Sequence, residues 1–439
     1  MYKIISINLF FVLCIYVCSC SPKVSKSFIT GKEVVTKEGA SKSQFPVPKF
    51  PMNQKVCGDF LDYAPDLQHM DHTPMRLVRI NLHFVDSPEG GVNFTEEEGI
   101  EFAKCIVEIS NKKLLKNAKM NLPADNDTPV LPAQYQYVLT GEEDNDSDSG
   151  VYFHKDERLF QSNKKGGKYS LFSQEQYNKF GARKGEVINI FFLEHHPDSI
   201  KSSTYKASGD GVGTPRWVKV VGACMVHHDN PKMTIRQIAD NFSGVFNHEV
   251  GHSLGLRHTW RSNDGCEDTP ESPNCWNVDK NAENCNEIGK VSNNMMDYNA
   301  WRSAITPCQI GRVHHKLASK GSVQRKLLIP TWCDYKPEAA IRIKTGEHIV
   351  WKSAKDLEGD VIIENGASLT LQCSLSLPAK AKILVALDGK LILDGATVTN
   401  LCGEQWQGIE VEKQGKLKGT VEMLSYSKVE NVVHQVSIE

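Results

Sequence analysis

Residues 247–260 read N-H-E-V-G-H-S-L-G-L-R-H-T-W, and this stretch decides how the rest of the chain is interpreted. If the residues before it are helical, His248 and His252 lie one turn apart on the same face, so both imidazoles can bind one metal ion. Glu249 lies between them and stays free of the metal. The spacing therefore predicts a metal site with an adjacent free carboxylate.

A third histidine completes the pattern. Gly255 can adopt the positive φ that ends a helix, and the turned chain then brings His258 back as a third nitrogen ligand. The full H-E-x-x-H-x-x-G-x-x-H pattern is expected by chance in about one in ten thousand chains of this length and composition. Three neutral imidazoles leave one tetrahedral position open for water, which is typical of a catalytic zinc site.

A second stretch supports this interpretation. Residues 293–298 read N-N-M-M-D-Y, which resembles the methionine turn that runs beneath the zinc of metzincin peptidases. The Met-Asp-Tyr turn, together with Thr259 after the third histidine, resembles the pappalysin family, including its ulilysin-like and cytophagalysin-like bacterial members. The resemblance continues through Cys266 to the T-P-C-Q-I-G-R segment at 306–312 and covers roughly residues 76–330.

This resemblance implies a zinc-dependent endopeptidase with one catalytic zinc ion and protein or peptide substrates. Glu249 is predicted to act as general base toward a zinc-bound water molecule and then to pass the proton to the leaving amine. Tyr298 would donate a hydrogen bond to the oxyanion, and Met296 would form an apolar floor under the metal. Met295 is the alternative candidate for this apolar floor, but its spacing to the tyrosine is one residue too long. Calcium is implied only by the resemblance, through carboxylates such as Asp268.

The alternative is a catalytically silent, surface-anchored binding or adhesion protein that presents the C-terminal part of the chain. The intact Glu249, the three histidines and the methionine turn count against it. Composition also limits the class of binding partner. The chain has 51 basic and 53 acidic side chains, which give a net charge of -2. This balance argues against nucleic acid as a partner.

Residues 1–20 are predicted to be a lipoprotein signal peptide. Lys3 precedes an apolar run at 4–17, and Val17-Cys18-Ser19-Cys20 resembles a bacterial lipobox in which Cys20 would be lipidated. The protein is therefore expected to be exported and anchored by lipid to the bacterial outer membrane or cell surface. A cleaved secretory peptide or a retained membrane helix are the alternatives, although the apolar run is short for a membrane span.

Residues 21–75 are predicted to form a flexible tether and a pro-segment, because Ser, Lys, Thr and Pro dominate up to about residue 55. Cys57, followed by glycine, resembles the cysteine switch of metzincin zymogens, in which a thiolate fills the open zinc position. The alternative is a disulfide from Cys57 to Cys105 or to another partner.

The cysteines outside the leader are even in number, since 13 minus the three at 14, 18 and 20 leaves ten. An even number in an exported protein indicates disulfides. Cys266, Cys275, Cys285 and Cys308 cluster around the loop between the third histidine and the methionine turn, and four cysteines allow three pairings. A second zinc held by thiolates is the alternative, but C-x-x-C spacing is missing.

Residues 76–332 are predicted to form the metzincin-like peptidase domain, an α+β fold in which a mixed sheet backs the active-site helix. Strands are expected at 77–85, 135–139 and 187–193, and Thr95 is expected to begin a helix. Residues 217–223 are predicted to be the edge strand nearest the cleft, which would pair with an extended substrate.

Residues 333–439 are predicted to form an all-β module. Short alternating strands follow Asn-Gly and Asp-Gly turns, and Gly366 and Gly389 stand 23 positions apart, which is about one coil of a parallel β-helix. A small β-sandwich is the alternative. No cluster of catalytic residue types appears here, so adhesion or positioning is the expected role.

Overall fold

The computed structural model describes residues 23–29, 34–36, 57–123, 125–142, 145, 147–162, 164–165, 168–169, 172–196, 210–259, 264–269, 292–297, 302–424 and 426–434. Cys20, Cys275, Cys285 and Tyr298 lie outside these ranges, so the predictions made for them have no structural counterpart here. None of the helices in the described ranges is long and apolar enough to cross a membrane.

The first strands of the chain are β1 (Ser25–Phe28), β2 (Val34–Thr36), β3 (Arg76–Asp86), β4 (Tyr135–Leu139), β5 (Val151–Lys155), β6 (Gln161–Ser162), β7 (Lys164–Lys165), β8 (Lys168–Tyr169), β9 (Ile188–His195), β10 (Asp210–Gly213) and β11 (Trp217–Val221). The helices are α1 (Glu96–Leu115), α2 (Phe172–Phe180), α3 (Ala223–Asp229), α4 (Ile235–Ser253), α5 (Pro307–Ala318) and α6 (Val323–Lys326).

The first domain is built on a mixed sheet with the strand order β10-β11-β9-β3-β4. All neighbouring pairs are parallel except β10 and β11, and β5 and β6 lengthen the sheet beside β3 and β9. Strand β9 is buried along its whole length, as expected for a parallel strand covered on both faces. Helices α1 and α4 pack on each other and share the apolar core of the sheet. The mixed sheet backing the active-site helix is the arrangement predicted from the sequence.

The predicted edge strand lies inside the sheet, and this part of the prediction was wrong. Strand β11 pairs in parallel with β9 on one side and antiparallel with β10 on the other. Among the described residues, β10 is therefore the edge strand beside α4. Its sequence, Asp-Gly-Val-Gly, contains two glycines, which are depleted in strands, so the pattern gave no strand signal.

Short polar motifs set the helix starts that position the site. Thr95 and Glu98 form a capping box at α1, and Thr234 and Gln237 form another at α4, as the sequence pattern of such boxes requires. At the other end of α4, Gly255 has a φ of 99°, a conformation that favours glycine, and turns the chain back toward the helix.

The strands of the C-terminal part are β12 (Ile341–Ile343), β13 (His348–Trp351), β14 (Lys355–Asp356), β15 (Val361–Ile363), β16 (Ser368–Leu371), β17 (Leu375–Ser376), β18 (Lys382–Val385), β19 (Lys390–Leu393), β20 (Thr397–Thr399), β21 (Gly408–Gln414), β22 (Leu417–Lys418), β23 (Thr420–Met423) and β24 (Lys428–Val429). We call residues 341–434 the β region.

Each successive repeat of the β region adds one strand to each of three parallel sheets. These sheets run β12-β15-β18-β21, β13-β16-β19-β23 and β14-β17-β20-β24. Buried and partly exposed residues alternate in most of the longer strands, so the apolar side chains of all three sheets meet in one core. The C-terminal part is therefore mostly β, as predicted.

Part of the predicted tether is ordered, which corrects that prediction. Strand β1 pairs antiparallel with β21, and β2 pairs in parallel with β23. Ile29, directly after β1, is 1% exposed and belongs to the core of the β region. Strands β21 and β23 would otherwise offer unpaired backbone groups at the end of their sheets, and the N-terminal strands satisfy them.

Two disulfides join the β region to the chain before it. Cys57 is bonded to Cys373, and Cys333 is bonded to Cys402. Cys105, the specific partner considered for Cys57, is a free thiol. Because the Cys57 sulfur is used in a disulfide, the cysteine-switch prediction is wrong for this structure, and the alternative of a structural disulfide holds with Cys373 as the partner.

Candidate metal centre

Three histidine rings converge at the C-terminal end of α4. The Nε2 atoms of His248 and His252 lie 3.1 Å and 3.0 Å from Nε2 of His258. One ligand nitrogen from each ring lies within 4.8 Å of the other two. Ligands at the usual zinc–nitrogen distance of 2.0–2.1 Å in a tetrahedron lie about 3.3 Å apart. The three nitrogens therefore fit the ligand set of one zinc ion.

Hydrogen bonds at the far side of two rings fix which nitrogen faces the metal position. His248 Nδ1 lies 2.8 Å from the carbonyl oxygen of Met295, and His252 Nδ1 lies 3.0 Å from that of Leu256. A carbonyl only accepts, so in both rings Nδ1 carries the proton and Nε2 keeps its lone pair. Burial lowers the pKa of both histidines, most strongly that of His248, and so favours the neutral form that binds zinc.

The methionine turn, whose backbone contacts His248, is held in place by a buried pair of amide side chains. Asn294 accepts from the Met296 N–H over 2.8 Å and donates to Gln309 Oε1 over 2.9 Å. The same Gln309 side chain accepts from the Thr306 N–H in the capping box of α5. The Met295 carbonyl that binds His248 is thus tied to the start of α5.

Met296 is fully buried under α4. A Cβ built on Gly251 would lie 2.7 Å from the Met296 sulfur and 3.4 Å from the terminal methyl carbon of Met295. The sulfur of Met296 therefore approaches the helix backbone more closely than Met295 does, at the turn that carries His248 and His252. Met296 thus stays the candidate for the predicted apolar floor, and Gly251 leaves room for its sulfur.

Glu249 lies on α4 beside strand β10 and is 6% exposed. Its side chain contacts the backbone of β10 at Gly211, where an added Cβ would meet the Glu249 carboxylate at 2.5 Å. The carboxylate is therefore held at the sheet edge and is separate from the three converging nitrogens.

Asp268, the residue considered for calcium, is engaged in capping a helix. Its Oδ1 accepts from the Thr306 hydroxyl over 2.7 Å and its Oδ2 accepts from the Cys308 N–H over 2.9 Å. Cys266 and Cys308, which lie close to it, are joined in a disulfide. These two sulfurs are therefore not thiolate ligands, and within the described ranges the calcium prediction gains no support.

Sequence reasoning missed the residues that orient the ligands. The Met295 carbonyl, Asn294 and Gln309 act through contacts across more than ten residues of chain, which the spacing of the histidines does not reveal. One signal was present, because Thr306 and Gln309 have the spacing of a capping box directly after the methionine turn.

Comparison with known proteins identifies this segment. Residues 197–318 match the family model Peptidase_M43, described as pregnancy-associated plasma protein-A. This segment is therefore similar to the pappalysin-type metallopeptidases. Among curated proteins, no sequence was found that matches the chain.

Solved structures that are similar to part of the chain were also found. Mirolysin in complex with compound 9 has a TM-score of 0.41 and 16% identity, over 58% of this chain and 97% of that one. Mature mirolysin from Tannerella forsythia in complex with a cleaved peptide has a TM-score of 0.38 and 16% identity, over 58% and 96%. A promirolysin variant from the same organism has a TM-score of 0.38 and 16% identity, over 60% and 87%.

Proposed function

We propose that this protein is a zinc-dependent endopeptidase in which His248, His252 and His258 hold a single zinc ion. The observation that carries the proposal is the convergence of the three ring nitrogens next to a carboxylate, Glu249, that does not join them. When bound, zinc supplies Lewis acidity, which lowers the pKa of a coordinated water to about 7 and polarises a carbonyl group.

The protein's own groups carry the proton transfers. Glu249 takes a proton from the attacking water and passes it to the amine nitrogen as the peptide bond breaks. The Met295 and Leu256 carbonyls keep the rings of His248 and His252 in one tautomer and orientation throughout. The buried methionine turn excludes water from beneath the site.

We also propose that an extended substrate lies along β10, because this is the edge strand that touches Glu249. Main-chain hydrogen bonds to a strand edge give affinity for any peptide sequence, whereas side-chain pockets select among sequences. This replaces 217–223, the strand predicted from the sequence, as the element that binds substrate.

The experiment that tests the proposal uses a soluble chain beginning at residue 21, so that β1 and β2 remain. Zinc is measured by elemental analysis, and cleavage of a mixed peptide library is measured with and without a chelator. One zinc per chain with chelator-sensitive cleavage is the expected result. Bound zinc with no cleavage of any peptide would contradict the proposal and support the silent binding-protein alternative.

Tyr298 is proposed as the hydrogen-bond donor to the oxyanion, on the basis of its place two residues after Met296. Tyr298→Phe is expected to lower kcat by ~10 to 1,000-fold, as for loss of one oxyanion donor, and to leave KM and zinc content nearly unchanged. Tyr426→Phe, at an exposed position of the β region, is the matched control. An unchanged kcat in Tyr298→Phe would remove this residue from the mechanism.

The β region is proposed to be a parallel β-helix, because each repeat adds one strand to each of three parallel sheets. Its end is covered by β1 and β2, which follow the leader directly.

Export and lipidation at Cys20 are proposed from the lipobox, and the disulfides are in keeping with an oxidising compartment. Cells expressing the full chain and fed labelled palmitate are expected to label the wild type and not Cys20→Ser. Cys105→Ser is the matched control. Equal labelling of Cys20→Ser would show that the chain is not anchored through this residue.

A further inference from the structure

Strand β10 presents two glycines to the active-site helix. Gly211 and Gly213 are two residues apart, so they point to the same face of the strand. A Cβ built on Gly211 would lie 2.4 Å from Cγ, 2.5 Å from Oε1 and 2.6 Å from Cδ of Glu249. A Cβ built on Gly213 would lie 2.2 Å from the Glu249 carbonyl oxygen and 2.7 Å from Cβ of His252.

These distances leave no room for any side chain. Non-bonded carbon atoms attract each other best at about 3.5–4.0 Å, and contacts near 2.5 Å are strongly repulsive. Neither glycine has a positive φ, so alanine could adopt their backbone conformation without strain. The requirement for glycine at both positions is therefore one of space and not of backbone freedom.

The strand and the helix are also fixed lengthwise. The Ser253 hydroxyl at the end of α4 donates to the carbonyl oxygen of Thr214, directly after β10, over 2.5 Å. Strand β10 in turn pairs with β11 from Asp210 to Gly213. The position of α4 relative to the sheet edge is thus set by direct backbone packing, with the two glycines at the point of closest approach.

We propose that Gly211 and Gly213 are positioning residues of the active site, with different tasks. The three atoms nearest an added Cβ at Gly211 are all side-chain atoms of Glu249, so Gly211 fixes where the carboxylate lies. A Cβ added at Gly213 would meet the helix backbone and Cβ of His252, so Gly213 sets the distance between the helix and the sheet edge. This inference rests on the proposed peptidase function for Gly211, whereas the task of Gly213 concerns zinc binding alone.

The two tasks predict different defects. Gly211→Ala is expected to displace the carboxylate and to lower kcat by about 100-fold or more, the effect of an ångström-scale misplacement, with KM and zinc content close to those of the wild type. Gly213→Ala is expected to displace the helix with His252 and to weaken zinc binding by at least ~10-fold, measured by competition with a chromophoric chelator. Gly321→Ala, where an added Cβ meets nothing within 4 Å, is the matched control.

A double-mutant cycle separates positioning from a general loss of structure. Alanine at 249 removes the three atoms nearest an added Cβ at 211, so Gly211→Ala is expected to lower the midpoint of chemical denaturation in the wild-type background and much less in a Glu249→Ala background. Equal shifts of the midpoint in the two backgrounds would overturn the proposal for Gly211. Zinc binding by Gly213→Ala equal to that of the wild type would overturn it for Gly213.

If Gly211→Ala does not fold, the same geometry provides a second test. Alanine at 249 removes the three atoms that the new methyl group would meet, so the Gly211→Ala, Glu249→Ala double variant should fold and bind zinc. A double variant that remains unfolded would contradict the proposed contact. A wild-type protein that binds zinc but cleaves no peptide would refute the proposed function and leave the zinc result for Gly213 intact.

Discussion

Replacement of Glu249 by alanine is expected to abolish peptide hydrolysis and to leave zinc in place. The candidate metal site is formed by Nε2 atoms of His248 and His252 that lie 3.1 Å and 3.0 Å from that of His258, and the Glu249 carboxylate is directed toward β10 instead. Loss of a general base typically lowers the rate by about 10² to 10⁴-fold.

The decisive measurement pairs elemental zinc analysis with kcat/KM on one cleavable peptide, for the wild type and for Glu249→Ala. Glu101→Ala, on the exposed surface of α1, is the matched control for a lost carboxylate. A variant with a full complement of zinc and wild-type kcat/KM would refute the role of Glu249. Loss of zinc together with activity would instead place Glu249 among the groups that hold the metal site together.

The features predicted correctly from the sequence are those fixed by neighbours along the chain. Histidines four residues apart on a helix must share a face, and a glycine at the helix end can turn the chain and return a third ligand. The capping box of α1 was likewise visible as Thr95 and three glutamates in the first turn. Such local rules predicted that the three histidines converge and predicted the first elements of the sheet.

The features that were missed depend on contacts between distant segments. Strand β10 has a glycine-rich sequence that does not predict a strand. It forms the edge strand because β11 would otherwise have a row of unpaired backbone hydrogen-bonding groups. Strands β1 and β2 form for the same reason, almost four hundred residues away from β21 and β23. Cys57 could not be assigned to Cys373 from sequence, because cysteine spacing does not determine which pairs form.

Buried contacts cross the boundary predicted at 332 and 333. Arg325 on α6 forms two hydrogen bonds with the Asp356 carboxylate, at 2.8 Å and 3.0 Å, and both side chains are largely buried. Arg76, at the start of β3, donates to the Asp356 carbonyl oxygen over 2.9 Å. The Trp332 ring lies beside both guanidinium groups, 4.7 Å from that of Arg325.

Asp356→Ala is therefore expected to lower the free energy of unfolding by about 3–5 kcal/mol, the usual cost of leaving a buried charge without its partner. Chemical denaturation followed by tryptophan fluorescence measures the change. The control is Arg342→Ala, which removes an exposed ion pair with Glu364 at 3.7 Å and should cost less than about 1 kcal/mol. Equal losses in the two variants would show that the buried pair is not what joins the β region to the peptidase domain.

The same contacts argue that the β region is part of the peptidase's folding unit. A chain ending at residue 332 would leave Arg325 and Arg76 without Asp356, and Cys57 without Cys373. Helix α6 follows α5, whose first turn holds the methionine turn through Gln309 and Asn294. Asp356→Ala is thus expected to weaken zinc binding at denaturant concentrations that leave the Arg342→Ala protein fully loaded. If both variants instead lose zinc at the same denaturant concentration, the β region acts as an appended module.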